Sequence, residues 1–453
     1  MMRNFFYSAV ISQATPRRPI FFLTALLTFV QMLAIAQVHD NTMMEVTLNK
    51  AIEYAVKNQP RIQQSSLDEE ITESIIRSRL ADWYPQVNFN YNLQHNFLLQ
   101  TSVFGGNQVR LGVNNTSAAQ FTATQIIFNR DVLLARRTKN NVQLQTTQTT
   151  VNNKIDLAVN VTRAFYDILA TTQQIKLADE NINRLQRSLK DATAQYKAGI
   201  ADKIDFKRAT ISLNNSLALK HSNEALLAAK NEYLKSLMAY PTEKALILVY
   251  DSTLMESDAL LDTLQVPDYH NRIEYRLLET QQGLLKANVL YNKWSYLPSV
   301  SANAAYNLNF QNNQFTKLYG TSFPNSYTGL TLGVPLFQGG KRKANMRTAE
   351  LQLSRNELDL ASLKNTVNAQ YAQALAIYKS NLAGYFALKE NVALAKEVYD
   401  VIQLQYRSGI KTYLEVITSQ ADLQAAQINY FNSLYQLLTV KADVRRALGQ
   451  ISY

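Results

Sequence analysis

The sequence predicts a mainly α-helical protein with a transmembrane β part, stated twice in one chain, and three observations carry that prediction. Landmarks recur about 210 residues apart: Trp83 and Pro85 answer to Trp294 and Pro298, Phe128 to Phe337, and Tyr196 with Gly199 to Tyr406 with Gly409. Each copy holds alternating apolar and polar runs, VNFNYNLQHNF in the first and VSANAAYNLNFQ in the second. Each then follows a helical seam of period 3.5 toward its closing glycine. Internal repetition decides architecture before any other signal, because each copy is one structural unit.

Taken in order, the chain opens on an export signal: Arg17 and Arg18, the run PIFFLTALLTFVQMLAIA, and the small-x-small site Ala34-Ile-Ala36. Residues 1–36 are therefore expected to be a signal peptide. Residues 37–240 form the first repeat, 241–267 an inter-repeat equatorial segment, and 268–453 the second repeat. Helices are expected at Leu48–Asp82 and Tyr269–Trp294, one before each strand pair.

The strands come next. Val87, Phe89, Tyr91 and Leu93 alternate with Asn88, Asn90, Asn92 and Gln94, and Val300 to Phe310 repeat the pattern against Ser301, Asn303, Asn307 and Asn309. Period two sends successive side chains to opposite faces. Runs of about 10–12 residues suit a tilted strand crossing a bilayer. An apolar face with aromatics opposite an uncharged amide face suits lipid on one side and water on the other. Partner strands follow the loops Thr101–Ser117 and Asn312–Ser326, as Phe121–Phe128 and the run TGLTLGVPLF. Two β-hairpins give four strands, too few to close a barrel, and an open edge in lipid leaves backbone groups unsatisfied. Three chains would supply 12 strands, an even number as such barrels require.

From Asn129 to Gly199 no proline or glycine interrupts the chain, which allows a helix of about 105 Å. Its seam runs Leu157, Val161, Ala164, Ile168, Thr171, Ile175, Ala178, Ile182, Leu185, Leu189, Ala192, Tyr196. Adding 210 to each number returns a second seam, from Val367 to Tyr406. Sustained 3.5-residue spacing specifies coiled-coil packing. Return helices are expected over Asp202–Tyr240 and Lys411–Leu448, after the glycines that end the long ones.

Composition narrows the function. The 453 residues carry a net charge of +11, or +8 without Arg3, Arg17 and Arg18 of the signal. That mild bias fits anionic lipid, and the sequence shows no basic stripe of the kind that neutralises nucleic-acid phosphates. Cysteine is absent and the four histidines are scattered, which removes thiolate sites and zinc-binding pairs and leaves no cofactor to expect. No nucleophile–base constellation stands out, so no enzyme is expected.

Helix, strand, loop, strand, very long helix, tight turn and return helix, stated twice, resembles the TolC-like outer membrane efflux protein family over roughly residues 45–450. The motifs that carry the resemblance are Gly333-Val-Pro-Leu-Phe-Gln-Gly-Gly340, Tyr406-Arg-Ser-Gly-Ile-Lys-Thr-Tyr-Leu-Glu415 and Ala447-Leu-Gly449. The resemblance implies a homotrimer in the outer membrane of a Gram-negative bacterium, with a 12-stranded barrel in outer-membrane lipid and a periplasmic tunnel of coiled-coil helices. It implies a passive exit duct of a tripartite efflux or type I secretion system, served by a periplasmic adaptor (membrane fusion) protein and an inner-membrane transporter of RND or ABC type.

By position, the resemblance also implies a periplasmic gate. Asp205 and Tyr406 match a carboxylate–tyrosine link, and Glu415 a pore-lining acidic position. Lys411 stands where TolC carries arginine, Ile204 replaces that arginine's polar partner, and Thr418 occupies a position that is acidic in TolC. Read from physical chemistry alone, Asp205 is a helix-start carboxylate favoured by the dipole, and Tyr406 is a knob of the seam. A structural coiled-coil or adhesin-like surface protein is the alternative function. It accounts for the seams and leaves the paired strands unexplained.

Overall fold

The computed structural model describes residues 44–199, 202–250 and 252–453; the expected signal peptide lies outside them. Strand β1 (Met44–Val46) leads into helices α1 (Leu48–Asn58) and α2 (Pro60–Ala81). The sequence suggested one helix over Leu48–Asp82, and Pro60 divides it. The residue before a proline is pushed out of the α region, and Gln59 sits at φ −63°, ψ 121°. Its side-chain amide donates to the carbonyls of Ser236 and Leu237, so the break is also a docking point.

Strands β2 (Gln86–His95), β3 (Gln100–Phe104), β4 (Asn107–Leu111) and β5 (Asn115–Phe128) follow. The stretch read as loop Thr101–Ser117 is instead a second hairpin, β3 against β4, turning at Gly105 and Gly106 with φ of 56° and 86°. Strand β5 begins six residues earlier than the run Phe121–Phe128, because polar Asn115–Gln120 continue the pairing with β2. Helices α3 (Arg130–Lys197, 68 residues) and α4 (Lys203–Met238) complete the first repeat. Asn129 caps α3 by accepting from the Asp131 amide at 2.7 Å.

Between the repeats, β6 (Leu246–Leu248) pairs in parallel with β1, and α5 (Ser252–Asp258) lies beside them in sequence. The second repeat holds α6 (Ile273–Lys293), β7 (Ser299–Asn312), β8 (Ser322–Gly333), α7 (Lys341–Arg407, 67 residues) and α8 (Tyr413–Leu448). Strand β8 stops at Gly333, so Val334, Leu336 and Phe337 lie beyond it; Pro335 has no N–H to continue a ladder. The link between β7 and β8 contains a 3₁₀ turn, Phe315–Gly320. It folds onto the apolar sheet face: Leu318 is fully buried, and the Tyr319 hydroxyl meets that of Tyr91 at 2.6 Å.

The four long strands form one antiparallel sheet in the order β2-β5-β7-β8. The helices beneath keep the same lateral order, α2 beside α3, α3 beside α6, α6 beside α7. Nearer the turns, α4 and α8 replace α2 and α6, giving α4-α3-α8-α7. Helix α3 is therefore interior and α7 lies at an edge. Nine of the twelve α3 seam residues are buried, against four of the twelve in α7 (Val367, Tyr378, Tyr385 and Tyr399). Equal seams carry unequal burial because one of them lacks a neighbour on its far side.

The main core lies at the waist, where Leu169 of α3, Leu234 and Met238 of α4, Tyr378 of α7 and Leu437 of α8 are all at most 1 % exposed. The equatorial segment closes over it with polar bonds. The Tyr378 hydroxyl donates to the Ala259 carbonyl, that of Tyr371 to Gln265, and the Lys441 ammonium to Asp258. Glu256 of α5 accepts from Tyr430 of α8 and Lys389 of α7, both at 2.5 Å. Those two donors hold its carboxyl below the ordinary value.

Candidate functional site at the helix turns and the sheet faces

The two long helices end alike. Gly199 and Gly409 both take φ of 74°, a left-handed conformation that costs glycine nothing. Below the core, a second apolar cluster of Ala192, Ala209 and Tyr413 packs with Leu189, Tyr406 and Ile417. It unites the ends of both helical hairpins.

A polar layer separates this cluster from the waist. Asn181 of α3, 2 % exposed, donates to Ser216 of α4 at 2.9 Å and to Gln424 of α8 at 2.7 Å. Its carbonyl oxygen accepts from Gln420 at 2.8 Å. A buried amide satisfied on both ends fixes register, because any slip leaves polar atoms unpaired. Sequence reasoning missed this layer: its members lie on three helices, and Asn181 stands among polar neighbours (Asp179, Glu180, Asn183) that give it no prominence.

Tyr406 does not hydrogen-bond Asp205. Its hydroxyl donates to Gln195 Oε1 on α3 at 2.8 Å, and its ring lies 5.8 Å from that of Tyr413. Burial raises the Tyr406 and Tyr413 phenols above their ordinary value, and the charge of Asp205 adds to this at a distance. Asp205 itself occupies the first turn of α4, the dipole-favoured place. The expected carboxylate–phenol link is thus replaced within the chain by an amide–phenol bond. The cause is one of reach: at the tip the Gln195 amide comes within bonding distance of the Tyr406 hydroxyl, and Asp205 sits past the turn in the first turn of α4.

Lys411 and Glu415 are brought together at 2.6 Å. Glu415 is also the N3 residue of a capping box: its carboxylate accepts from the Thr412 amide at 2.9 Å, and the Thr412 hydroxyl accepts from the Glu415 amide. The pattern Thr412-x-x-Glu415 is the sequence signature of that motif, so this role was legible. Thr418 is exposed and donates to the Leu414 carbonyl, and Ile204 is 53 % exposed. Lys411 and the Thr412 groups hold the Glu415 carboxyl at about 2. A depressed folded value stabilises above the ordinary carboxylate range and is lost on acidification. The protection that Glu415 gives the amides of Thr412–Val416 is therefore expected to fall progressively as pH drops from about 4.5 to about 2, and Glu415→Gln should lack this dependence.

The sheet presents two unlike faces. One carries Val87, Phe89, Tyr91, Leu93, Phe121, Tyr306, Leu308, Phe310, Leu330 and Leu332, which share a side by strand register. The other carries cross-strand rows of neutral polar groups: Asn92, Ala118, Asn309, Phe323; then Asn90, Gln120, Asn307, Asn325; then Asn88, Thr122, Ala305, Tyr327. None of the four strands contains Asp, Glu, Lys or Arg. No helix of the described residues is long and apolar enough to cross a membrane. Among those residues no cluster of three potential metal ligands occurs.

Known proteins share this arrangement. Residues 51–239 and 278–450 match the family model described as outer membrane efflux protein. The chain is 19% identical to the outer membrane efflux protein BepC of Brucella suis, over 90% of this chain and 86% of that one. It is also 19% identical to the outer membrane protein TolC of Escherichia coli, over 89% and 82%. Among solved structures, the CusC channel superposes with a TM-score of 0.74 at 18% identity, over 90% of this chain and 92% of that one.

Proposed function

We propose, from the premise that this chain belongs to the outer membrane efflux protein family, that three copies assemble into a passive duct through the outer membrane. The chain is an outer-membrane efflux protein with a long periplasmic helical extension. Residues 37–240 and 268–453 serve as its two repeats and 241–267 as its belt. An inner-membrane transporter and a periplasmic adaptor deliver cargo to the helix turns.

One observation carries the trimer: the molecule is a strip with two unlike free edges. On one side lie β2, α2 and α4, with Leu67, Ile71 and Ile75, then Ile204, Ile211, Leu219 and Leu226 exposed at helical spacings. On the other lie β8 and α7, with Leu394, Val398 and Val401 exposed. Unlike edges join head to tail, and such joints either close into a ring or run on as a filament. Closure by three brings twelve strands together and leaves no edge in lipid.

The tip supports a resting state that is shut. Tyr406, Gln195 and Asn181 hold the two hairpins together inside each chain, and Lys411 with Glu415 lies beside the turn. The reading is tested by size and topology. The purified protein is expected as a trimer in mild detergent and should conduct in planar bilayers. Cysteine at Asn107 or Asn313 should react with an impermeant reagent on whole cells, and cysteine at Asn140 should not. A conducting monomer, or labelling at Asn140, overturns it.

A further inference from the structure

Of the eight aromatic residues in the four long strands, six follow the apolar face, as a bilayer-facing girdle requires. Phe323 and Tyr327 do not. Both project from β8 on the amide face, two rows apart, and remain 46 % and 60 % exposed. Their cross-strand neighbours are Asn309 and the small Ala305, so neither ring face is covered by a bulky partner on β7. Between them lies the pair Asn307–Asn325, joined at 2.6 Å. Asn307 Oδ1 is enclosed there and accepts no hydrogen bond.

We infer that Phe323 and Tyr327 form a contact station for organic cations on the inner wall of the barrel. The inference rests on the proposed barrel, which makes the amide face the lumen. A ring face is the negative pole of an aromatic quadrupole and attracts ammonium-like cations. The wall holds no formal charge that would compete with or repel such a cargo. The ring faces offer negative potential only, so anions gain nothing here. Six rings per trimer near the outer mouth would slow the exit of aromatic amines without gripping them, since exposed cation–π contacts are individually weak.

The test uses the full-length trimer in nanodiscs, titrated into ethidium with fluorescence anisotropy as readout and fluorescein as the anionic comparison. Ethidium is expected to bind the wild type about five-fold more tightly than Phe323→Ser, Tyr327→Thr, and fluorescein should bind neither. Equal ethidium binding by both proteins, or fluorescein binding that matches ethidium, overturns the station. If the double variant no longer forms trimers, Phe323→Leu decides: it keeps apolar bulk and lacks a ring face, so binding as tight as wild type assigns the ring to packing. A wild type that stays monomeric in mild detergent would remove the barrel reading itself, and the station with it.

Discussion

A Tyr406→Phe, Gln195→Ala variant is expected to leak. The phenol–amide bond it removes is neutral and partly shielded, which sets its net contribution at about 0.5–1.5 kcal/mol. In the proposed trimer, three copies acting on one concerted opening would contribute about 1.5–4.5 kcal/mol, so the open population should rise roughly ten- to two-thousand-fold. Single-channel recording measures this directly, and sensitivity of cells to bulky antibiotics reports the same change. Asp205→Ala separates two gate designs. The carboxylate accepts no bond from Tyr406 and acts on it only through space, so this change alone should scarcely alter resting conductance. An opening larger than that of the Tyr406, Gln195 pair would restore the carboxylate as the latch.

Arg272→Ala is expected to give the largest loss of stability. Arg272 precedes α6 and is 5 % exposed. Its guanidinium donates to both Glu274 oxygens at 3.0 and 3.1 Å, to Gln370 of α7 at 3.2 Å, and to the Ala447 carbonyl of α8 at 3.2 Å. One side chain thus joins three helices of the second repeat. Beside it the chain passes so close to Gly449, φ 72°, that an added Cβ would lie 2.5 Å from the Asn271 carbonyl. Removing the guanidinium leaves a partly buried carboxylate without its partner, a change that costs about 3–5 kcal/mol. Burial works to raise the Glu274 carboxyl, and Arg272 outweighs it with help from Arg446, so the group sits below its ordinary value. The pair therefore stabilises above the ordinary carboxylate range and weakens as pH falls through the depressed value. In the variant burial is opposed only by Arg446 and a backbone hydrogen bond, so the carboxyl rises relative to the wild type, and mild acid that neutralises it should return part of the loss. Urea unfolding at pH 7 and pH 5 checks both signs. A variant equally unstable at the two values would mean that Glu274 is not the source of the cost.

Much of this was legible before any coordinates. Period 3.5 named the two seams residue by residue, and period two named the strand faces, because both are properties of single elements. What escaped needed either two elements or one overlooked residue. Pro60 was visible, and its effect on Gln59 follows from local sterics; the reading ran through it because apolar spacing resumes beyond it. The β3–β4 hairpin is hidden because its strands are only five residues each, and Gly105-Gly106, legible as turn glycines, does not by itself show that the flanking residues pair. The spacing Thr412-x-x-Glu415 carries a capping-box signature that the pore-lining reading of Glu415 passes over. Gln195 offered no such signal, because its partner lies 211 residues away and only the meeting of the α3 and α7 ends at the turns brings them together. The unequal burial of equal seams was likewise invisible, since repetition in sequence says nothing about which copy lies at the edge.

The parallel pairing of β1 with β6 sets a schedule for the newborn chain. Val46 finds its mate only at Leu248, about 200 residues later, and at 5–20 residues per second that is a wait of roughly 10–40 s. A parallel partner so distant cannot be approached by a local turn, and its closure is paid in loop entropy before any bond forms. Throughout that interval the three-residue strand Met44–Val46 stands unpaired, a template for any stray edge it meets. The waist is therefore the last part of the first repeat to settle, and escorts that shield extended segments would matter most in the seconds before residue 248 arrives.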